Sequence, residues 1–315
     1  MSKILTPYVH TSTKPREEDP KNRKIIQSID FTENLDSKSP WTLLGYPDDT
    51  GVISNLGRPG AALGPNEIRK QLYKKSSFAL NTNTIPKIKD LGNLMPSNEL
   101  TQTHENAHNL IKKLRSSTDK IISLGGGHDF ALCDYKDLFQ SKEDWLLINV
   151  DAHLDMRPNP KDPKNQEHSG TPFRLLIEQA KYQQPLYVLA YQYHCNCEDH
   201  VQWAIKQGIK LRPLKDFSLD QQNNFEMIRQ DLTQLDFMNK KIALSIDLDA
   251  FSSAFAPGVS APQTRGLNIE LFFEVLKLLK DKVHHLGLYE LNPNLDIDHR
   301  TANLAADIIY QTVYS

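Results

Sequence analysis

Apolar residues in this chain come as short continuous runs, separated by longer stretches in which they recur every three or four positions. The runs are WTLLG at 41–45, IISL at 121–124, WLLINV at 145–150, LYVLA at 186–190, IALSIDL at 242–248 and HLGLYEL at 285–291. Runs this short and this apolar predict strands buried on both faces. Between them lie helical patterns. GAALGPNEIRKQLYKK (60–75) places Pro65 in a first helical turn, with Ile68 and Leu72 at helical spacing behind it. Further helices are expected around 99–116, through ALCDYKDLF, around 198–207, near 221–236, over NIELFFEVLKLL (268–279) and over TANLAADIIYQTV (301–313). Strands alternating with helices predict a parallel sheet covered on both faces, hence a single doubly wound α/β domain over 41–315. Residues 1–40 are polar, rich in Lys, Glu, Pro, Ser and Asn and without sustained periodicity, and read as an N-terminal arm or wrapped extension.

Sheets of this kind bind ligands beyond the carboxyl ends of their strands. The polar residues of this chain gather there. IISL runs into GGGHD with His128, and WLLINV into DAHLD with Asp151, His153 and Asp155; IALSIDLD carries Asp247 and Asp249, and HLGLYE ends in Glu290. A buried carboxylate without a partner costs several kcal/mol or more, so acids concentrated at strand ends call for a cationic counterpart. Two imidazoles and four carboxylates form a mixed nitrogen and oxygen donor set, suited to a borderline or hard divalent ion such as Mn²⁺. Six donors are too many for one ion with an open position, whereas two ions sharing carboxylates would use them all. The alternate spacing of Asp151, His153 and Asp155 predicts an extended segment that projects all three to one side. The glycines before His128 allow a tight strand-to-helix turn, and the segment lacks the lysine of a phosphate-binding loop.

Composition narrows the partners. The 315 residues carry a formal net charge of −2 with 39% hydrophobic and 24% charged residues, so no basic excess favours nucleic acid and a small molecule is expected instead. Cys133, Cys195 and Cys197 are too few for a disulfide framework and fit a reducing, cytoplasmic setting. YHCNCEDH sets Cys195 and Cys197 beside His194 and His200, but the C-x-C spacing has no second pair to complete a zinc site. Neither a secretory apolar segment nor a run long enough to cross a membrane is present, so no targeting or membrane association is expected. Homo-oligomerisation is left open.

GGGHD (125–129), DAHLD (151–155), SIDLD (245–249) with Pro262 downstream, and ELNP (290–293) together resemble the ureohydrolase family of arginase, agmatinase and formimidoylglutamase, over roughly 41–312. The resemblance implies a three-layer α/β/α fold and two manganese ions. It places one ion on His128, Asp151, Asp155 and Asp247 and the other on Asp151, His153, Asp247 and Asp249, with Asp151 and Asp247 bridging. Water activated by the pair would attack the sp² carbon of an amidine or guanidine substrate. Asp155 would hold that water by a hydrogen bond, and Glu290 would pair with the cationic nitrogens. DMRP, SGTPFR and AFAPGVSAPQTRGL resemble the formimidoylglutamase branch, which implies N-formimidoyl-L-glutamate as substrate, with agmatine or a guanidino acid as the alternative. Arg157 is the expected partner of a substrate carboxylate, and Arg174 and Arg265 are weaker candidates. The chain departs from the arginase and agmatinase pattern at EHSGTPFR, where Ser169 separates His168 from Gly170, and from the family's common pattern at Ser252-Ser253, where an acid followed by proline is usual.

Overall fold

The computed structural model describes residues 4–9, 24–76, 86–158, 167–181 and 183–314. The first half contains β1 (Leu5–Thr6), β2 (Ile29–Phe31), β3 (Ser39–Gly45), α1 (Thr50–Ser54), α2 (Gly64–Lys74), β4 (Ile88–Leu94), α3 (Leu100–Leu114), β5 (Thr118–Leu124), α4 (Phe130–Tyr135) and β6 (Trp145–Val150). The second half adds α5 (Pro172–Glu178), β7 (Leu186–Tyr191), α6 (Glu198–Lys206), β8 (Lys210–Pro213), α7 (Gln221–Gln234), β9 (Lys241–Asp247), α8 (Ile269–Leu279), β10 (Val283–Tyr289) and α9 (Arg300–Tyr314).

All the strands join one sheet in the order β1-β4-β3-β5-β10-β9-β6-β7-β8, with β2 also paired to β4. Only the short β1 runs antiparallel, with Leu5 opposite Leu94. Parallel strands need crossovers, and the helices supply them on both faces. Side-chain alternation divides the core accordingly. From β6, Leu146, Ile148 and Val150 pack with α2, α7, α8 and α9, while Trp145 and Leu147 pack with α3, α4, α5 and α6. The three-layer arrangement expected from the sequence is the one observed.

The crossing that places the acids and histidines together follows β5. The chain leaves β5 and returns as β6, but β10 and β9 lie between them in the sheet. The four strands β5, β10, β9 and β6 are therefore neighbours at a topological switch, and theirs are the four ends that carry the acids and histidines. At the other edge, part of the polar first 40 residues is tied in: Leu5 is buried, and Ile29–Phe31 pairs with Ile88–Asp90.

Candidate metal centre

His128 stands in the turn between β5 and α4. A Cβ at Gly126 would run into the Asp48 carbonyl, so the turn can pass this close only with glycine there. The imidazole is fully buried, and its Nε2 meets the Ser245 Oγ at 2.9 Å. With Ser245 occupying Nε2, Nδ1 is the nitrogen that faces the carboxylates. Three carboxylate oxygens surround Nδ1, at 2.9 Å from Asp155, 3.2 Å from Asp151 and 3.4 Å from Asp247. None of them lies at an angle that makes a hydrogen bond, so Nδ1 is a buried polar atom without a hydrogen-bond partner. Donor atoms that converge on a point without bonding one another are arranged for an ion.

A second group adjoins the first. His153 Nδ1 is 3.0 Å from Asp249 and 3.6 Å from Asp151. His128, Asp151, Asp155 and Asp247 form one candidate metal-binding set, and Asp151, His153 and Asp249 another, with Asp151 common to both. All six residues expected from the sequence are brought together. The shared position of Asp247 is not reproduced in these groupings, which place it in the first set alone.

The expected extended run through Asp151, His153 and Asp155 is corrected by the structure. Strand β6 ends at Val150, and the chain then bends. The Asp151 side chain accepts the backbone N–H of His153 at 2.6 Å, which closes a turn two residues long, and Asp155 sits at φ +50°. Turn geometry, not the pleat of a strand, aims the three side chains. Glu290 is likewise left-handed, at φ +69°, just beyond β10. Two residues of one site thus hold a left-handed backbone that non-glycine residues adopt uncommonly.

The electrostatics are those of a site short of positive charge. Burial pushes Asp155 up to about 6, helped by the charge on Asp151 and opposed by His128. Burial and the neighbouring Asp249 and Asp151 hold Asp247 well above the ordinary carboxyl range, and burial also raises Asp249. Glu290, desolvated, rises to about 8, although its carboxylate accepts the His128 N–H at 2.9 Å. Burial works against charge on both imidazoles, yet the surrounding carboxylates raise His128 and His153 well above 6.5. Protons stand in for cations in this cluster.

Above the cluster opens a cavity of about 450 Å³, within the range of small-molecule sites. Asp155, Asp247, Asp249, His153 and Glu290 form its acidic floor, while Arg58, Arg157 and His200 stand in its lining. Arg157 is exposed, beside Gly170, where a Cβ would press within 3.0 Å of the guanidine Nε. The weaker candidates are not brought in. Arg174 pairs with Glu178 at 2.7 Å and stacks over Trp203, and Arg265 lies in a different depression with Tyr193 and Lys215. His168 is buried and accepts the Gly170 N–H on Nδ1, so Ser169 faces the cavity in its place. Cys195 and Cys197 line the cavity as free thiols and belong to neither metal-binding set.

Three features escaped the sequence reading. Ser245, which orients His128, is two and four residues before Asp247 and Asp249, and that same-face spacing was an available signal. Arg58 carries no such signal, because only folding sets it beside residues two hundred positions away. The third is a buried chain in which His104 bridges Asp129 and Glu167, at 2.6 Å to each. It ties α3 both to the residue after His128 and to the loop that carries Ser169.

A model of the Arginase family matches residues 39–314. The chain is 31% identical to a formimidoylglutamase of Staphylococcus haemolyticus, across 96% of this chain and 97% of that protein. It is 34% identical to a formimidoylglutamase of Streptococcus pyogenes, across 87% of this chain and 84% of that one. Among solved structures, Trypanosoma cruzi formiminoglutamase with Mn²⁺ superposes with a TM-score of 0.81 at 24% identity, covering 93% of this chain and 98% of that one. Formimidoylglutamase from Bacillus subtilis gives 0.82 at 20% identity, covering 97% and 95%. The chain belongs to the arginase family, and the two structures share its fold.

Proposed function

We propose that this protein hydrolyses N-formimidoyl-L-glutamate to L-glutamate and formamide, using two divalent ions that are manganese in the cell. The observation that carries the reading is the polarity of the cavity, with acids and imidazoles at the floor and, in the wall, Arg58 and Arg157, which have no carboxylate partner among the described residues. A substrate with a cationic amidine at one end and carboxylates at the other fits that polarity. Agmatine, whose tail is a second cation, would bring it against Arg58 and Arg157. The names of the relatives support the same substrate.

His128, Asp151, His153, Asp155, Asp247 and Asp249 would hold the ions, whose Lewis acidity activates water near neutral pH. Asp155 lines the cavity beside His128 and is placed to orient the attacking water by accepting one of its protons in a hydrogen bond. Glu290 is fixed through one oxygen by the His128 N–H and offers the other to the amidine nitrogens. Water adds its oxygen to the formimidoyl carbon and gives up both protons, the bond to the glutamate nitrogen breaks, and that nitrogen takes the two protons and leaves as the ammonium of glutamate while the carbon keeps its NH2 as formamide. Arg157 meets a substrate carboxylate. Free cysteines throughout, and no described helix long and apolar enough to cross a membrane, suit a cytoplasmic enzyme.

The test is product analysis over a panel of formimidoyl and guanidino compounds with added Mn²⁺. Formamide from N-formimidoyl-L-glutamate is expected. Urea from agmatine or a guanidino acid, without formamide from the formimidoyl compound, would replace this reading by the alternative.

A further inference from the structure

We infer that Arg58 is a specificity-determining residue, a pre-set guanidinium that takes one substrate carboxylate while Arg157 takes the other. The inference rests on the dicarboxylate reading above and adds the second anchor that such a substrate requires.

Arg58 stands in the cavity wall between α1 and α2, and its guanidinium is fastened at two points. Nε donates to the Ser260 carbonyl at 3.0 Å and Nη2 to the Val259 carbonyl at 2.9 Å. Its own N–H donates to the Ser260 Oγ at 2.7 Å. The Arg58 and Pro59 carbonyls accept from Asn292 Nδ2 at 3.3 and 2.9 Å, and Asn292 lies two residues beyond Glu290. Gly57 has no room for a side chain, since a Cβ there would sit 2.8 Å from the Ser260 Oγ. The arginine is thus locked to the same strand-end framework that sets Glu290.

What these bonds leave undone matters as much. Backbone carbonyls orient a guanidinium without neutralising it, and Arg58 forms no ion pair with any described residue. Nη1 and the second hydrogen of Nη2 remain, and together they form one edge of the planar fork, the edge that matches a carboxylate. Because the side chain is already ordered, little rotamer freedom is lost on binding. Arg157 is exposed, as Arg58 is, but has no side-chain hydrogen bond to a described residue. One anchor is rigid and the other adaptable, so Arg58 defines where the first carboxylate must lie and thereby the length of the substrate.

The experiment compares three substrates on the manganese-loaded enzyme: N-formimidoyl-L-glutamate, its γ-amide N-formimidoyl-L-glutamine, and N-formimidoyl-γ-aminobutyrate, which lacks the α-carboxylate. Arg58→Ala is expected to lower kcat/KM on the diacid by about 30-fold or more, chiefly through KM, the effect of breaking a charge-assisted pair from one side. On one of the two monoacids, the one without the carboxylate that Arg58 holds, the loss should stay within about threefold. Inhibition by L-glutamate should weaken in step with KM. Arg58→Gln, which keeps a donor for the Ser260 carbonyl, should behave as Arg58→Ala does, and it carries the test should the alanine variant fail to fold. Arg58→Lys should rescue little, because lysine cannot bond two carbonyls and still offer a fork. Equal losses on all three substrates, or none on the diacid, would overturn the role. If the wild-type protein released no formamide from N-formimidoyl-L-glutamate, the functional reading itself would fail, an outcome visible before any variant is made.

Discussion

At the scale of single residues, the site is a set of donor groups oriented by their neighbours. Ser245 holds Nε2 of His128 at 2.9 Å and so fixes the ring with Nδ1 toward the carboxylates; Ser245→Ala should weaken metal binding by about 10- to 100-fold without removing a ligand. Metal content after dialysis checks this. Asp151 belongs to both candidate sets, whereas His128 belongs to one. His128→Asn is therefore expected to empty one position, and Asp151→Asn to deplete both, as read by elemental analysis of each variant. If Glu290 pairs with the amidine as proposed, Glu290→Gln should keep the ions and lower kcat by about 100-fold or more, since only a charge is removed. Loss of metal in Glu290→Gln would instead make Glu290 a ligand. The six donors were readable because each follows an apolar run. Arg58 and His104 were not, because a surface arginine and a helix histidine gain their meaning only from partners far along the chain.

At the scale of elements, the strands that were missed carry the lesson. IKDLGNL (88–94) is not among the apolar runs expected to be strands, yet it forms β4 and every residue in it is buried. Its charges are satisfied from outside. Arg69 of α2 makes a fork on Asp90 at 2.9 and 3.0 Å and also bonds Asn93 and the Gly92 carbonyl, while Lys89 reaches the Ser37 carbonyl. Periodicity cannot reveal a strand whose polar residues are paired by a helix fifteen or more residues earlier. Arg69→Ala, leaving Asp90 buried and unpaired, should cost about 3–5 kcal/mol in urea denaturation. The His104 bridge adds a pH dependence. Burial opposes charge on His104, but the hydrogen bonds to Asp129 and Glu167 outweigh it and raise its pKa from 6.5 to about 9. Its stabilisation is thus full below the unfolded value of 6.5 and fades as the pH rises through about 9. In His104→Ala, the decline of stability across that interval should be missing from a denaturation series.

At the scale of the whole molecule, ten strands and two helical layers exist to bring four strand ends side by side and to leave an acidic floor beneath a basic wall. Doubly wound topology was readable from the alternation of buried runs and amphipathic helices. The crossing that separates β5 from β6 by β10 and β9 was not, because order in a sheet follows from the packing of whole layers. This architecture stores unfavourable charge in the absence of ions. Asp155 and Glu290, raised by burial to about 6 and about 8, favour the fold only while protonated, so each loses its stabilisation as pH rises through those values. Chelator-stripped protein should melt lower than manganese-loaded protein, and the gap should widen between about pH 5 and 8 as the acids ionise.

The proposed function has two ions held by these strand ends hydrolyse a formimidoyl dicarboxylate. Its most direct test is a titration of chelator-stripped protein with Mn²⁺ while formamide release from N-formimidoyl-L-glutamate is followed. Activity should be absent at the start and saturate near about two equivalents per chain. Full activity in the stripped protein, saturation at one equivalent, or no formamide with both ions bound would contradict it.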